Sequence, residues 1–119
     1  MKYIVLLTED TTISTKLPVA GVMDAVEATR PYLDELKKRE RVTDWGFYGA
    51  GHGLFAVINV KSHAELHEIV ELIPARQFCA LEINPVLESG EFADVFGKIK
   101  REVLANNERW TKGSSRSTY

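Results

Sequence analysis

Four kinds of side chain in this sequence could hold or act on a small molecule. His52 lies in the glycine-rich turn Gly49-Ala50-Gly51-His52-Gly53. An imidazole placed there is a candidate general acid and base, because it titrates near neutrality; the alternative is an exposed turn histidine with no role. Glu82 belongs to the short segment Cys79-Ala80-Leu81-Glu82-Ile83-Asn84, where a two-residue period puts it on one face with Ala80 and Asn84. Aimed into a pocket, its carboxyl would be desolvated and become a usable base; facing solvent or ion-paired, it would not. Arg30 and Arg76 could each hold a carboxylate through two N–H groups, or lie idle on the surface. Trp45, Phe47, Tyr48 and Phe55 could wall a flat pocket, with Tyr48 adding a hydroxyl donor, or could simply fill a core.

Other chemistries are less well supplied. His63 and His67 stand four residues apart on a helical pattern, but the only nearby third ligand is Glu71 on the same face, so no metal site is expected. There is no phosphate-binding glycine loop, nucleophile elbow or CxxC pair. The lone cysteine, Cys79, rules out an intrachain disulfide and reads as a small buried hydrophobe in a reducing compartment. With a net charge of -2, neither nucleic acid nor an anionic membrane is an expected partner. The basic cluster Lys37, Lys38, Arg39 and Arg41 is interrupted by Glu40 and reads as the solvated end of a helix. The apolar run at residues 3–7 is too short to span a bilayer and lacks a signal-peptide pattern, so a cytoplasmic protein is expected.

The elements that must position these residues follow from periodicity. Tyr3-Ile4-Val5-Leu6-Leu7 is a continuous apolar run, the pattern of a strand buried on both faces. Residues 9–18 read as a polar loop. Residues 21–40 change to a helical period, with Val22, Val26, Thr29, Leu33 and Leu36 on one face, Ala25 and Tyr32 on its flank, and Pro31 opposite, where a kink, or two helices meeting near Arg30, is expected. Trp45–Tyr48 and Leu54–Val60 flank the glycine turn as a hairpin. Ser62-His63-Ala64-Glu65 fits a capping box, Leu66, Ile69, Val70 and Ile73 continue as an apolar stripe, and Pro74 ends it. Residues 79–84 form a last strand. Beyond it, Phe92, Phe96, Ile99, Val103 and Trp110 line a helix over residues 91–110, and residues 111–119 read as a disordered tail.

The order βαββαβ defines one ferredoxin-like α+β domain over residues 1–90, with an antiparallel four-stranded sheet and both helices on one face. Strands this apolar would not leave the other face wet. A second subunit's sheet is the expected cover, giving a dimeric α/β barrel with the extra C-terminal helix in oligomer contacts.

Lys16-Leu17-Pro18-Val19, the turn Ala50-Gly51-His52, Phe55-x-Val57-x-x-Val60-x-Ser62, Leu66-His67, Leu72-Ile73-Pro74 and Glu82-Ile83 occur in this order across about three quarters of the chain. In these motifs the sequence resembles the muconolactone isomerases and their dimeric α/β-barrel relatives. The resemblance implies a homodimer or higher homo-oligomer and a cofactor-independent isomerase of aromatic catabolism, moving a proton along a small unsaturated lactone or acid. His52 and Glu82 would then be catalytic, and Arg30, Trp45, Tyr48, Phe55 and Arg76 would bind substrate. Two other functions stay open: a cofactor-free oxygenase or cyclase acting on an aromatic polyketide-like substrate, and a non-catalytic dimeric binding or assembly protein. A pocket with His52 or Glu82 plus an arginine favours the isomerase, a larger apolar pocket the oxygenase, and a filled pocket the third.

Overall fold

In the computed structural model, residues 1–49 and 51–113 are described, the last six of these by backbone only. Ala50, the side chain of Trp110 and residues 114–119 therefore lie outside the described residues. The chain runs β1 (Lys2–Glu9), α1 (Thr11–Ser14), α2 (Val19–Lys38), β2 (Val42–Phe47), β3 (Gly53–Asn59), α3 (His63–Glu71), a 3₁₀ helix (Pro74–Phe78), β4 (Cys79–Pro85) and α4 (Ser89–Gly113). The four strands form one antiparallel sheet in the order β2-β3-β1-β4. This is the expected ferredoxin-like arrangement; within a single chain the sheet is open, not closed into a barrel.

Tyr3, Val5 and Leu7 of β1 and Leu54, Ala56 and Ile58 of β3 are buried, together with Ala25 and Leu33 of α2 and Leu66, Ile69 and Val70 of α3. Both helices thus cover the same sheet face. The residues between them, Ile4, Leu6, Phe55 and Val57, point to the other face and stay partly or largely exposed. The continuous apolar run of β1 therefore does not mark burial on both sides in this chain. It reflects a second face that is apolar and uncovered.

Polar groups in the core are spent on joints. Buried Thr29 donates from Oγ1 to the Ala25 carbonyl (2.8 Å) and accepts from the Ala75 N–H (3.2 Å), fastening α2 to the 3₁₀ helix. The Tyr32 hydroxyl donates to the Ile69 carbonyl (2.8 Å), joining α2 to α3. Ser62 caps α3 as expected, accepting from the Glu65 N–H at 3.1 Å, while Glu65 returns to the N–H of Lys61 at 3.2 Å.

Local structure departs from the sequence expectations at several points. The polar stretch 9–18 contains a one-turn helix, α1, because Asp10 accepts from the Thr12 N–H and caps it. α2 is one continuous helix through Pro31 and not two meeting near Arg30; Pro31 lies on the exposed side, so its lost hydrogen bond faces solvent. Val26 is 39% exposed and stands outside the core stripe. The connector after Pro74 is a 3₁₀ helix that buries Ala75 and Phe78. The C-terminal helix runs from Ser89 to Gly113, so residues 111–113 are helical and not part of a tail.

The chain divides into two compact units, the first ending at Val86. In the second, α4 exposes Phe92, Val95, Phe96, Ile99 and Val103, and the rings of Phe92 and Phe96 stack 5.4 Å apart.

Candidate functional site

The hairpin between β2 and β3 is built to hold His52. Gly51 and His52 both take positive φ, 83° and 67°. Glycine adopts that region freely, whereas a histidine there is an uncommon conformation that the surroundings must impose. Gly53 is needed for a different reason: a Cβ there would meet the Tyr48 ring and the Leu7 carbonyl oxygen at 2.6 Å. The Glu9 N–H donates to the His52 carbonyl at 2.7 Å, pinning the turn to the end of β1.

That bond brings two side chains together. The His52 Nδ1 lies 3.7 Å from Glu9 Oε1, within ion-pair range but beyond a hydrogen bond. The other carboxylate oxygen, Oε2, accepts from the Ser14 hydroxyl at 3.0 Å, so α1 braces Glu9 from behind. The Glu9 side chain is 23% exposed and that of His52 75%, which puts the carboxylate inside and the imidazole at the rim.

Behind them lies a pocket of about 230 Å³, lined by Glu9, His52 and the hairpin glycines Gly51 and Gly53, with Val26 of α2, Phe47 of β2, Leu54 of β3 and Ala75, Phe78 and Cys79 closing the far side. Its wall is apolar apart from the Glu9–His52 end. Cys79 pairs with Glu9 across the β1–β4 ladder. Burial, and secondarily the charge of Glu9, pushes its thiol up to about 11, against a smaller opposing pull from Arg76. It is a neutral wall group and not a nucleophile.

The other sequence-predicted site residues lie elsewhere. Glu82 is exposed on the uncovered sheet face, where Asn84 Nδ2 donates to its Oε2 at 3.2 Å; the two-residue period of β4 turns it away from the pocket. Phe55 shares that face, in a row with Glu82 and Leu6 and with its ring over Gly46, and Tyr48 lies over Gly53 beside it. Trp45 is on the helix side, donating from Nε1 to Asp34 Oδ1 (2.9 Å), with Phe47 edge-on at 5.3 Å. The predicted aromatic wall is thus divided between two faces, and only Phe47 reaches the pocket. Arg30 is exposed and 3.9 Å from Asp34. Arg76 donates from Nη1 to the Cys79 carbonyl (2.9 Å), and its buried Nε sits 3.4 Å from Glu71 without hydrogen-bond geometry. Neither arginine lines the pocket.

Sequence reasoning missed Glu9. Its available signal was parity, since residues 3, 5, 7 and 9 of one strand must share a face. Among the described residues, no group of three or more His, Cys, Asp or Glu side chains is arranged to hold a metal ion, and His63 Nδ1 lies 3.1 Å from the Tyr3 hydroxyl. No helix among them is long and apolar enough to cross a membrane.

The fold defines the class: a ferredoxin-like α+β subunit. No family model matches the chain, and no curated protein does. Among solved structures it is similar to 5-chloro-2-hydroxyhydroquinone dehydrochlorinase (TftG) from Burkholderia phenoliruptrix AC1100, in complex with 2,5-dihydroxybenzoquinone. The TM-score is 0.56 and the identity 22%, covering 76% of this chain and 97% of that one. At this identity the likeness is one of fold.

Proposed function

We propose that the protein is a cofactor-independent enzyme of aromatic catabolism that shifts a proton along a small unsaturated lactone. The observation that carries this reading is the Glu9–His52 pair at the mouth of an apolar pocket. His52 removes a proton from carbon at one position and returns it at another, and Glu9 orients the ring and stabilises the imidazolium formed between the two steps. The similarity of fold to a dehydrochlorinase solved with a dihydroxybenzoquinone supports small cyclic carbonyl compounds as the substrate class. The acid form of the substrate has less support, because among the described residues no arginine or lysine lines the pocket.

The test uses α-angelica lactone, an uncharged β,γ-unsaturated lactone, in deuterium oxide, with isomer formation and deuterium uptake followed by NMR. The native protein should accelerate both. His52→Ala should slow them by roughly two to four orders of magnitude, the usual worth of a positioned acid–base group. Unchanged turnover in a folded His52→Ala protein would end the isomerase reading of this pocket.

The apolar wall of Val26, Phe47, Leu54 and Phe78 favours a second reading, a cofactor-free oxygenase on a phenolic ring. Oxygen consumption with phenolic substrates, absent with the lactone, would select it. We further propose that the uncovered sheet face, with Ile4, Leu6, Phe55 and Val57, is closed by the sheet of a second copy, and that α4 buries its aromatic stripe across a subunit boundary. The working protein would then be a cytoplasmic homo-oligomer.

A further inference from the structure

The pocket behind His52 has an electrostatic character as well as a shape. Among the described residues that line it, Glu9 is the single acidic side chain, and none is a lysine or arginine. Arg76, next in sequence to the wall residue Ala75, is turned instead to the Cys79 carbonyl and to Glu71. The charge of Glu9 also acts on its cross-strand neighbour Cys79, where it helps to hold the thiol protonated. Ser14 occupies Glu9 Oε2, which leaves Oε1, on the His52 side, as an acceptor for an incoming O–H. An anion in this space would be stripped of water beside a carboxylate, with no lysine or arginine among the described lining residues to compensate.

Size sets a second limit. An apolar cavity of about 150 Å³ holds benzene. At about 230 Å³ this pocket has room for one six-membered ring with small substituents.

We propose that Glu9 is the specificity-determining residue of this pocket, admitting an uncharged single-ring compound that carries a hydroxyl or enol donor and excluding the matching carboxylate. The inference rests on the reading that this pocket is the substrate site, but it does not require that a proton be moved there.

The experiment compares two inert probes of nearly equal size, 3-hydroxybenzamide and 3-hydroxybenzoate, titrated into the full chain at about pH 7.5 and followed by NMR shifts. At that pH a phenol stays protonated and a carboxyl is ionised. The amide should bind at least about tenfold more tightly than the acid, and its shifts should fall on Val26, Leu54 and Phe78. In Glu9→Gln, which keeps the shape and removes the charge, the ratio should approach one; in Glu9→Asp it should persist. Equal binding of the two probes by the native protein would overturn the proposal, as would an unchanged ratio in folded Glu9→Gln or failure of the amide to bind. If Glu9→Gln does not fold, Glu9→Ala takes its place, and an unchanged ratio in that folded variant overturns the proposal. Because binding is read without turnover, a protein that sorts the probes by charge yet isomerises nothing would keep this inference and lose the catalytic one. Turnover without charge discrimination would do the reverse.

Discussion

At the scale of single residues, the site draws its properties from conformations and charges that only neighbours can impose. His52 is held at positive φ, a conformation costing a non-glycine residue roughly 1–2 kcal/mol. Replacing it by glycine relieves that strain, while the greater freedom of glycine in the unfolded chain returns part of the gain. His52→Gly should therefore be as stable as the native protein or more stable by up to about 1 kcal/mol, with proton transfer lost. A clear drop in the denaturant midpoint would contradict the strain argument. Cys79 gives a pH test. Its thiol is raised from 9.0 to about 11, chiefly by burial and then by Glu9. A raised thiol pKa means that the folded state holds its proton more tightly than the unfolded state. The stability so conferred is fully present below pH 9.0 and is lost as pH rises towards 11. Cys79→Ala should show a shallower alkaline decline, and in Glu9→Gln the thiol should alkylate faster at a fixed pH because one cause of the shift is gone. Parallel alkaline stability curves for native protein and Cys79→Ala would refute the assignment.

At the scale of elements, the hairpin, β1 and the short α1 act as one clamp around Glu9. The Glu9 N–H holds the turn, Ser14 holds the carboxylate, and Gly53 lets the Tyr48 ring and the Leu7 backbone carbonyl of β1 approach the hairpin closely. Gly53→Ala drives a methyl group into that backbone, which cannot yield as a flexible side-chain tip could. It should destabilise the fold by about 2 kcal/mol or more and broaden the amide resonances of residues 7–9 and 48–53. Full native stability in Gly53→Ala would show that the strands have room the structure does not display. The capping box of α3 and the apolar stripe behind it were legible from residue spacing because both are local patterns. The turn was only partly so. Three glycines marked a reversal, but of the described residues it is Gly51 and His52 that take positive φ, a choice made by the bonds from Glu9 and Tyr48.

At the scale of the whole molecule, the first unit closes on itself through the Val86 N–H, which donates to the Lys2 carbonyl at 2.9 Å, and the unit contains the whole sheet and its two covering helices. It still leaves Ile4, Leu6, Phe55 and Val57 uncovered. α4 carries its own exposed stripe from Phe92 to Val103. Light scattering at micromolar concentration should therefore give at least a dimer. A chain truncated after Val86 should keep its folded sheet but lose oligomeric mass or solubility, since the stability gained by association goes with the partner surface. A monomeric native protein would refute pairing through the sheets, and a truncated protein of full mass and solubility would reduce α4 to an appendage.

The sequence by itself determined the order of the four strands and three long helices, the antiparallel ferredoxin-like sheet and the prominence of His52. Hydrophobic period, glycine clusters and caps act within a few residues of where they are written. It also placed Glu82 correctly on one face with Ala80 and Asn84. Only the tertiary structure decided which face that was, and it is the one opposite the pocket. Tertiary structure likewise paired His52 with Glu9, 43 positions away in the numbering, split the aromatic residues between two sides of the sheet, and tied up both arginines with Asp34 and Glu71. Each of these outcomes depends on strand register and on which side the helices pack. Those are set by the summed burial of apolar side chains across the whole domain, a quantity that no local stretch of sequence contains.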